Sequence, residues 1–95
     1  MKILWSPQAR RDLCDIYRHI ASDNPRAGRA LHDKILSGVQ VLSEAPQIGR
    51  PGRVPGTREW LVAGTSTIVP YRVCREMLQI LRVYHTSRLW PEHFE

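Results

Sequence analysis

The segment PQIGRPGRVPG, residues 46–56, divides the chain into two regions with different hydrophobic periods. Three prolines and three glycines in eleven residues exclude a helix or a central strand there, because proline has no amide donor and glycine loses the most backbone entropy on ordering. Before it, Ala9, Leu13, Ile16, Tyr17 and Ile20, and then Ala27, Leu31, Ile35, Val39 and Leu42, recur at three- and four-residue spacing, which predicts two amphipathic helices. Ser6-Pro7 and Asn24-Pro25 each supply a capping side chain followed by proline at the first helical position. The first helix therefore ends near Asp23, and so short a turn makes the two a helical hairpin. Arg10, Arg11, Asp12, Asp15 and Arg18 fall on the expected wet side of the first helix.

Beyond the loop, residues 57–63, 67–73 and 78–85 are rich in β-branched and aromatic side chains, which predicts three strands joined by short turns as an antiparallel meander. Residues 2–5 make a short N-terminal strand. The expected fold is α+β, with an N-terminal strand, a helical hairpin and a three-stranded antiparallel meander in two layers, one sheet face under the helices and the other open. Pro70 falls inside the second meander strand, which implies an edge position or a bulge. Alternation places Arg82 and Tyr84 on one face and Leu81, Val83 and His85 on the other, with Arg72 opposite Tyr71 and Val73. The register of the hairpin around residues 74–77 stays open at this level.

With 95 residues the chain fits a single domain spanning residues 1–95. No apolar stretch approaches the ~20 residues of a bilayer span. Ser6-Pro7 interrupts the N-terminal apolar run too early for a secretory signal, so a cytoplasmic protein with no membrane partner is expected. Cys14 and Cys74 are too few and too distant for a disulfide framework or a zinc site, and neither metal nor other cofactor is expected. Charge is more informative. Fourteen Lys+Arg against nine Asp+Glu give a net charge of +5, which implies an acidic partner. Only Lys2 and Lys34 are lysines, so the excess is carried by arginine, whose planar fork binds carboxylate or phosphate bidentately.

Several segments in order resemble the RelE/ParE superfamily of toxins from bacterial type II toxin-antitoxin modules. They are Trp5-Ser6 with Ala9 and Asp12-Leu13, then Asp23-Asn24-Pro25, then Pro46, Gly49-Arg50-Pro51-Gly52-Arg53 and Gly56-Thr57-Arg58-Glu59, then Tyr71-Arg72-Val73, and last Ile80-Leu81-Arg82-Val83-Tyr84-His85 with Arg88 and Trp90-Pro91. The resemblance covers nearly the whole chain and implies a similar fold and neutralisation by an acidic antitoxin in a hetero-oligomer. The superfamily divides into ribosome-dependent mRNA endonucleases resembling RelE and gyrase poisons resembling ParE. The G-R-x-G-R-x-x-G-T-R-E loop and the His-x-x-Arg-x-Trp-Pro ending look closer to ParE. Ribonuclease members commonly carry an arginine three positions before the tyrosine of a Tyr-x-Val strand, and here that position is Ile68.

The resemblance thus implies a growth-inhibiting toxin that poisons DNA gyrase, with ribosome-dependent mRNA cleavage as the alternative and a plain basic nucleic-acid-binding module third. Metal-independent RNA cleavage needs an acid, a base and cations on the developing phosphorane charge. For that alternative the candidates are His85 as acid or base, Arg82 with Arg58 or Arg72 as clamp, and Glu59 as a second proton carrier. For target or antitoxin binding the candidates are Arg50, Arg53, Arg58, Arg82, Arg88 and Trp90, of which the loop arginines stand out because binding residues concentrate on loops held by a rigid scaffold. Trp60 and Tyr71 read as core residues.

Overall fold

The computed structural model describes residues 1–85. The elements run β1 (Lys2–Trp5), α1 (Pro7–Asp23), α2 (Pro25–Glu44), a 3₁₀ turn (Pro46–Ile48), β2 (Arg50–Pro51), β3 (Arg58–Leu61), β4 (Thr67–Cys74), β5 (Met77–Ile80) and β6 (Tyr84–His85). The helix boundaries follow the caps. Ser6 accepts from the Ala9 amide, and Asn24 closes α1 with its own N–H to Ile20 while its side chain accepts from Ala27 to open α2.

The sheet order is β1-β5-β4-β3-β2, with β6 also on β4. β1 lies parallel to β5, while the β3-β4 and β4-β5 pairs are antiparallel. The expected meander is therefore present, extended by β1 at one edge and by a two-residue strand from the Gly/Pro loop at the other. One face packs under the helices. Ile35, Val39 and Leu42 of α2 and Ala9 and Ile16 of α1 are buried against Val69, Tyr71, Leu78, Ile80 and Val83, each large apolar side chain contributing about 1.5–3 kcal/mol of burial. A Cβ on Gly38 would overlap the Trp60 indole, and one on Gly28 would meet the Ala21 Cβ at 2.9 Å. These two glycines let α2 approach the sheet and α1 closely.

Pro70 shows why the last strand is broken in two. It stands in the central strand, which corrects the edge alternative and bears out the bulge. Tyr71 pairs with Ile80 and Ile68 with Tyr84, so three steps along β4 face four along the C-terminal strand, and one extra residue is accommodated within 81–83. The Leu81 amide still donates to the Pro70 carbonyl at 3.0 Å, but Pro70 has no N–H to return. The Leu81 carbonyl is satisfied instead by the Ser6 hydroxyl at 2.7 Å. The same hydroxyl caps α1, so one serine starts the helix and repairs the ladder.

Val83 and Tyr84 are adjacent and both buried, at 1% and 4% exposure; alternation sends them to opposite faces, Val83 into the core under the helices and Tyr84 beside Ile68 on the far face. The β4-β5 turn settles the open register: Cys74 pairs with Met77 across Arg75 and Glu76, both at positive φ (52° and 62°), the conformation of a two-residue hairpin turn. Arg72 lies opposite Gln79, on the face away from Tyr71, as alternation requires. That far face is closed at its centre, where Ile68 and Pro70 are buried, and open at its flanks, where Leu4 and Leu61 are about half exposed.

Candidate functional site

The loop after α2 is organised around Glu59. This carboxylate is 3% exposed and stands opposite Arg50 in the β2-β3 pair. Arg50 reaches its Oε1 from Nη2 at 3.1 Å and from Nε at 3.3 Å. The backbone N–H of Arg53 donates to Oε2 at 2.9 Å, and the Arg53 Nε lies 3.8 Å from the same oxygen. Both arginine side chains remain about half exposed. One buried carboxylate thus fixes two guanidinium groups at the sheet edge without enclosing either.

Arg58 points to the opposite face, beside its cross-strand partner Tyr71. Its Nη1 donates to the Gly49 carbonyl at 2.7 Å, and the Tyr71 hydroxyl donates to the Pro46 carbonyl at 2.6 Å while accepting from the Gly49 amide at 2.9 Å. Burial pushes the Tyr71 phenol pKa up, against the opposing pull of the Gly49 N–H and the Arg58 charge. Arg58 and Tyr71 thereby anchor the 3₁₀ turn that delivers Arg50 to the sheet.

Arg82 belongs to a second cluster. Its Nε and Nη2 donate to the two oxygens of Asp12 at 2.7 and 3.0 Å, and the Val83 N–H donates to the same carboxylate at 3.0 Å. The guanidinium also stacks 4.8 Å from the Tyr84 ring centroid, and its pKa is raised chiefly by the Asp12 hydrogen bond. Asp12 is 6% exposed, which corrects its expected place on the wet side of α1. The sequence carried the signal. Asp12 lies three residues after Ala9 and four before Ile16, on the buried stripe itself, where an acid needs an enclosed partner.

The candidates for RNA cleavage do not converge. His85 pairs with Thr67 at one end of β4, while Arg72 is five residues along that strand, roughly 17 Å away, with its Nε on the Gln79 side chain. Arg58 is on the helix side, Glu59 is engaged by Arg50 and Arg53, and Arg82 by Asp12. Arg88 and Trp90 lie outside the described residues.

A groove of about 420 Å³ runs along the helical hairpin, lined by Arg10, Leu13, Cys14, Tyr17, Arg29, His32 and Asp33. Tyr17 and His32 meet edge to face at its base, with ring centroids 5.8 Å apart. An apolar floor between arginines of two helices fits an amphipathic segment with acidic margins.

Known proteins share this fold. The family model for the ParE toxin of type II toxin-antitoxin systems matches residues 3–90. Y4kP of Sinorhizobium fredii strain NGR234, whose name describes it as a toxin, is 38% identical over 96% of this chain and 94% of its own. Toxin RelE2 of Caulobacter vibrioides is 26% identical over 93% of this chain and 98% of its own. Among solved structures, a chain of the chromosomal ParDE system of Pseudomonas aeruginosa superposes with a TM-score of 0.82 at 32% identity, covering 90% of this chain and 95% of that one. A chain of the RelBE2 toxin-antitoxin complex of Mycobacterium tuberculosis gives 0.61 at 29% identity, covering 88% and 95%. The chain thus belongs to the ParE toxin family of type II toxin-antitoxin systems.

Proposed function

We propose that this toxin acts in the cytoplasm, where it inhibits growth by poisoning DNA gyrase unless held in a hetero-oligomer by a cognate acidic antitoxin. The observation that carries the target assignment is the dispersal of the cleavage candidates. Ile68, in the place of the ribonuclease arginine, is 4% exposed and apolar, so a phosphorane forming near His85 finds no cation from that position. The greater likeness to the ParDE chain than to the RelBE2 chain supports the same reading. The antitoxin assignment is supported by the hairpin groove, whose flanking Arg10 and Arg29 match acidic side chains on an amphipathic segment that folds on binding.

Two assays with purified toxin test the target: supercoiling and DNA cleavage by gyrase on plasmid, and cutting of mRNA on programmed ribosomes. Gyrase-dependent DNA cleavage is the expected result. Ribosome-dependent mRNA cuts that His85→Ala weakens by roughly 10²- to 10⁴-fold, the usual worth of a general acid or base, together with unaffected supercoiling, would replace gyrase with the ribosome. Co-expression with the adjacent antitoxin is expected to restore growth and yield a co-purifying complex, and rescue without a complex refutes direct neutralisation.

A further inference from the structure

The charge surplus is confined to one half of the molecule. Residues 7–44, the helical hairpin, carry six basic side chains against five acidic ones, whereas residues 45–85 carry six against two. Of those two, Glu76 sits in the β4-β5 turn and Glu59 is buried beneath Arg50 and Arg53. Arg72 shares the open face with Glu59: it is two residues from Pro70, which pairs with Glu59, and Glu59 in turn pairs with Arg50. Arg72 and Arg50 are therefore two strands across and two residues along from each other, roughly 12 Å between Cα atoms. Arg53 stands beside Arg50, on the same carboxylate. Three exposed guanidinium groups thus share this side of the sheet, two of them on one acid that solvent scarcely reaches and the third, Arg72, with its Nε on Gln79.

The apolar residues at the centre of this face, Ile68 and Pro70, are already buried, and the half-exposed Leu4 and Leu61 stand apart at its two flanks, so the face offers a partner no continuous apolar centre. Protein interfaces depend on a desolvated apolar centre, whereas a phosphodiester backbone needs chiefly spaced cations and repays them by counterion release. The guanidinium fork also matches phosphate oxygens. We propose that the open sheet face, through Arg50, Arg53 and Arg72, binds the sugar-phosphate backbone of duplex DNA without reading its sequence. The toxin then engages the DNA that gyrase holds as well as the enzyme. This setting rests on the gyrase reading above, and the binding itself does not.

The test is a titration of a short fluorescein-labelled duplex with the full chain, repeated at increasing salt and with an unrelated duplex sequence. Equal affinity for both sequences is expected, with a log-log salt slope of about −2 to −3, corresponding to two or three phosphate contacts. Arg72→Gln is expected to reduce that slope by about one, Arg53→Gln to do the same, and Arg72→Lys to keep it. Both glutamine variants replace exposed side chains, so unchanged melting is expected alongside. Gyrase-mediated cleavage is expected to need more of the Arg72→Gln protein than of the wild type.

A wild-type affinity without salt dependence, or slopes that neither glutamine variant alters, overturns the proposal. Loss of antitoxin affinity in both variants without loss of duplex affinity overturns it too, assigning the face to an acidic protein segment. A wild type that binds duplex with the expected slope but leaves gyrase untouched supports the face and removes the target reading alone.

Discussion

Two buried carboxylates organise this toxin, and they do opposite things with arginine. Asp12 takes one guanidinium in a two-pronged grip and adds the Val83 amide, leaving the Arg82 side chain 29% exposed. Glu59 shares itself between Arg50 and Arg53, whose side chains stay 54% and 52% exposed. The first pairing encloses the charge and ties α1 to the bulge. The second holds cations at the surface while its own charge is shielded. Stoichiometry and exposure, rather than the presence of an ion pair, separate an arginine that builds the fold from one that is available to a partner.

Breaking the enclosed pair should have the largest effect. Arg82→Ala leaves Asp12 buried with only the Val83 amide, and removing one partner of a buried pair typically costs about 3–5 kcal/mol. Denaturant melts are expected to show that loss, and a change below about 1 kcal/mol would mean that the pair behaves as a surface bridge. Asp12→Ala should cost less than Arg82→Ala, because the Arg82 side chain can turn to water while the Val83 amide loses its acceptor.

The next effect concerns the other anchor of the loop. Tyr71→Phe removes a donor to Pro46 and an acceptor for Gly49, about 1–3 kcal/mol if both buried groups stay unpaired. It also changes the alkaline limb of the stability curve. The folded-state pKa of Tyr71 is raised by burial above the usual 10.0. The unfolded chain therefore loses its phenolic proton first as pH rises, and the stabilisation, complete below about pH 10, declines as pH passes through the folded value. Wild type is expected to lose stability more steeply than Tyr71→Phe above that pH, and parallel curves would disprove the assignment.

The comparison also explains what could be read from sequence. Both helices, their caps and the meander were legible because period and cap chemistry are local: Asn24 closes one helix and opens the next within three residues. The broken last strand was half legible. Pro70 announced a bulge, but its location depended on Ser6, which is distant in sequence and supplies the hydroxyl that Leu81 lacks from the ladder. Arg82 read as a binding residue because a sequence shows its charge and conceals its partner 70 positions away. The loop arginines were visible as a group, yet only the register separates Arg58, turned to the helix side, from Arg50, turned to the open face.

The smallest stability effect is the sharpest test of the distinction. Arg53→Ala leaves the Arg53 backbone N–H on Glu59, and Arg50 continues to hold the other carboxylate oxygen. The Arg53 Nε lies 3.8 Å from that carboxylate on a side chain that is half exposed, in a region where solvent screens the pair and typical values are about 0–1 kcal/mol. Stability should fall by less than about 0.5 kcal/mol, whereas Glu59→Gln, which weakens the acceptor for both arginines and the Arg53 amide, should cost about 1–2 kcal/mol. Toxicity and duplex binding are expected to follow the reverse order, falling more for Arg53→Ala than for Glu59→Gln, because the latter keeps every guanidinium and removes the one acid of that cluster. If Arg53→Ala melts like Glu59→Gln, the exposed pair is structural after all, and the contrast with Asp12 and Arg82 disappears.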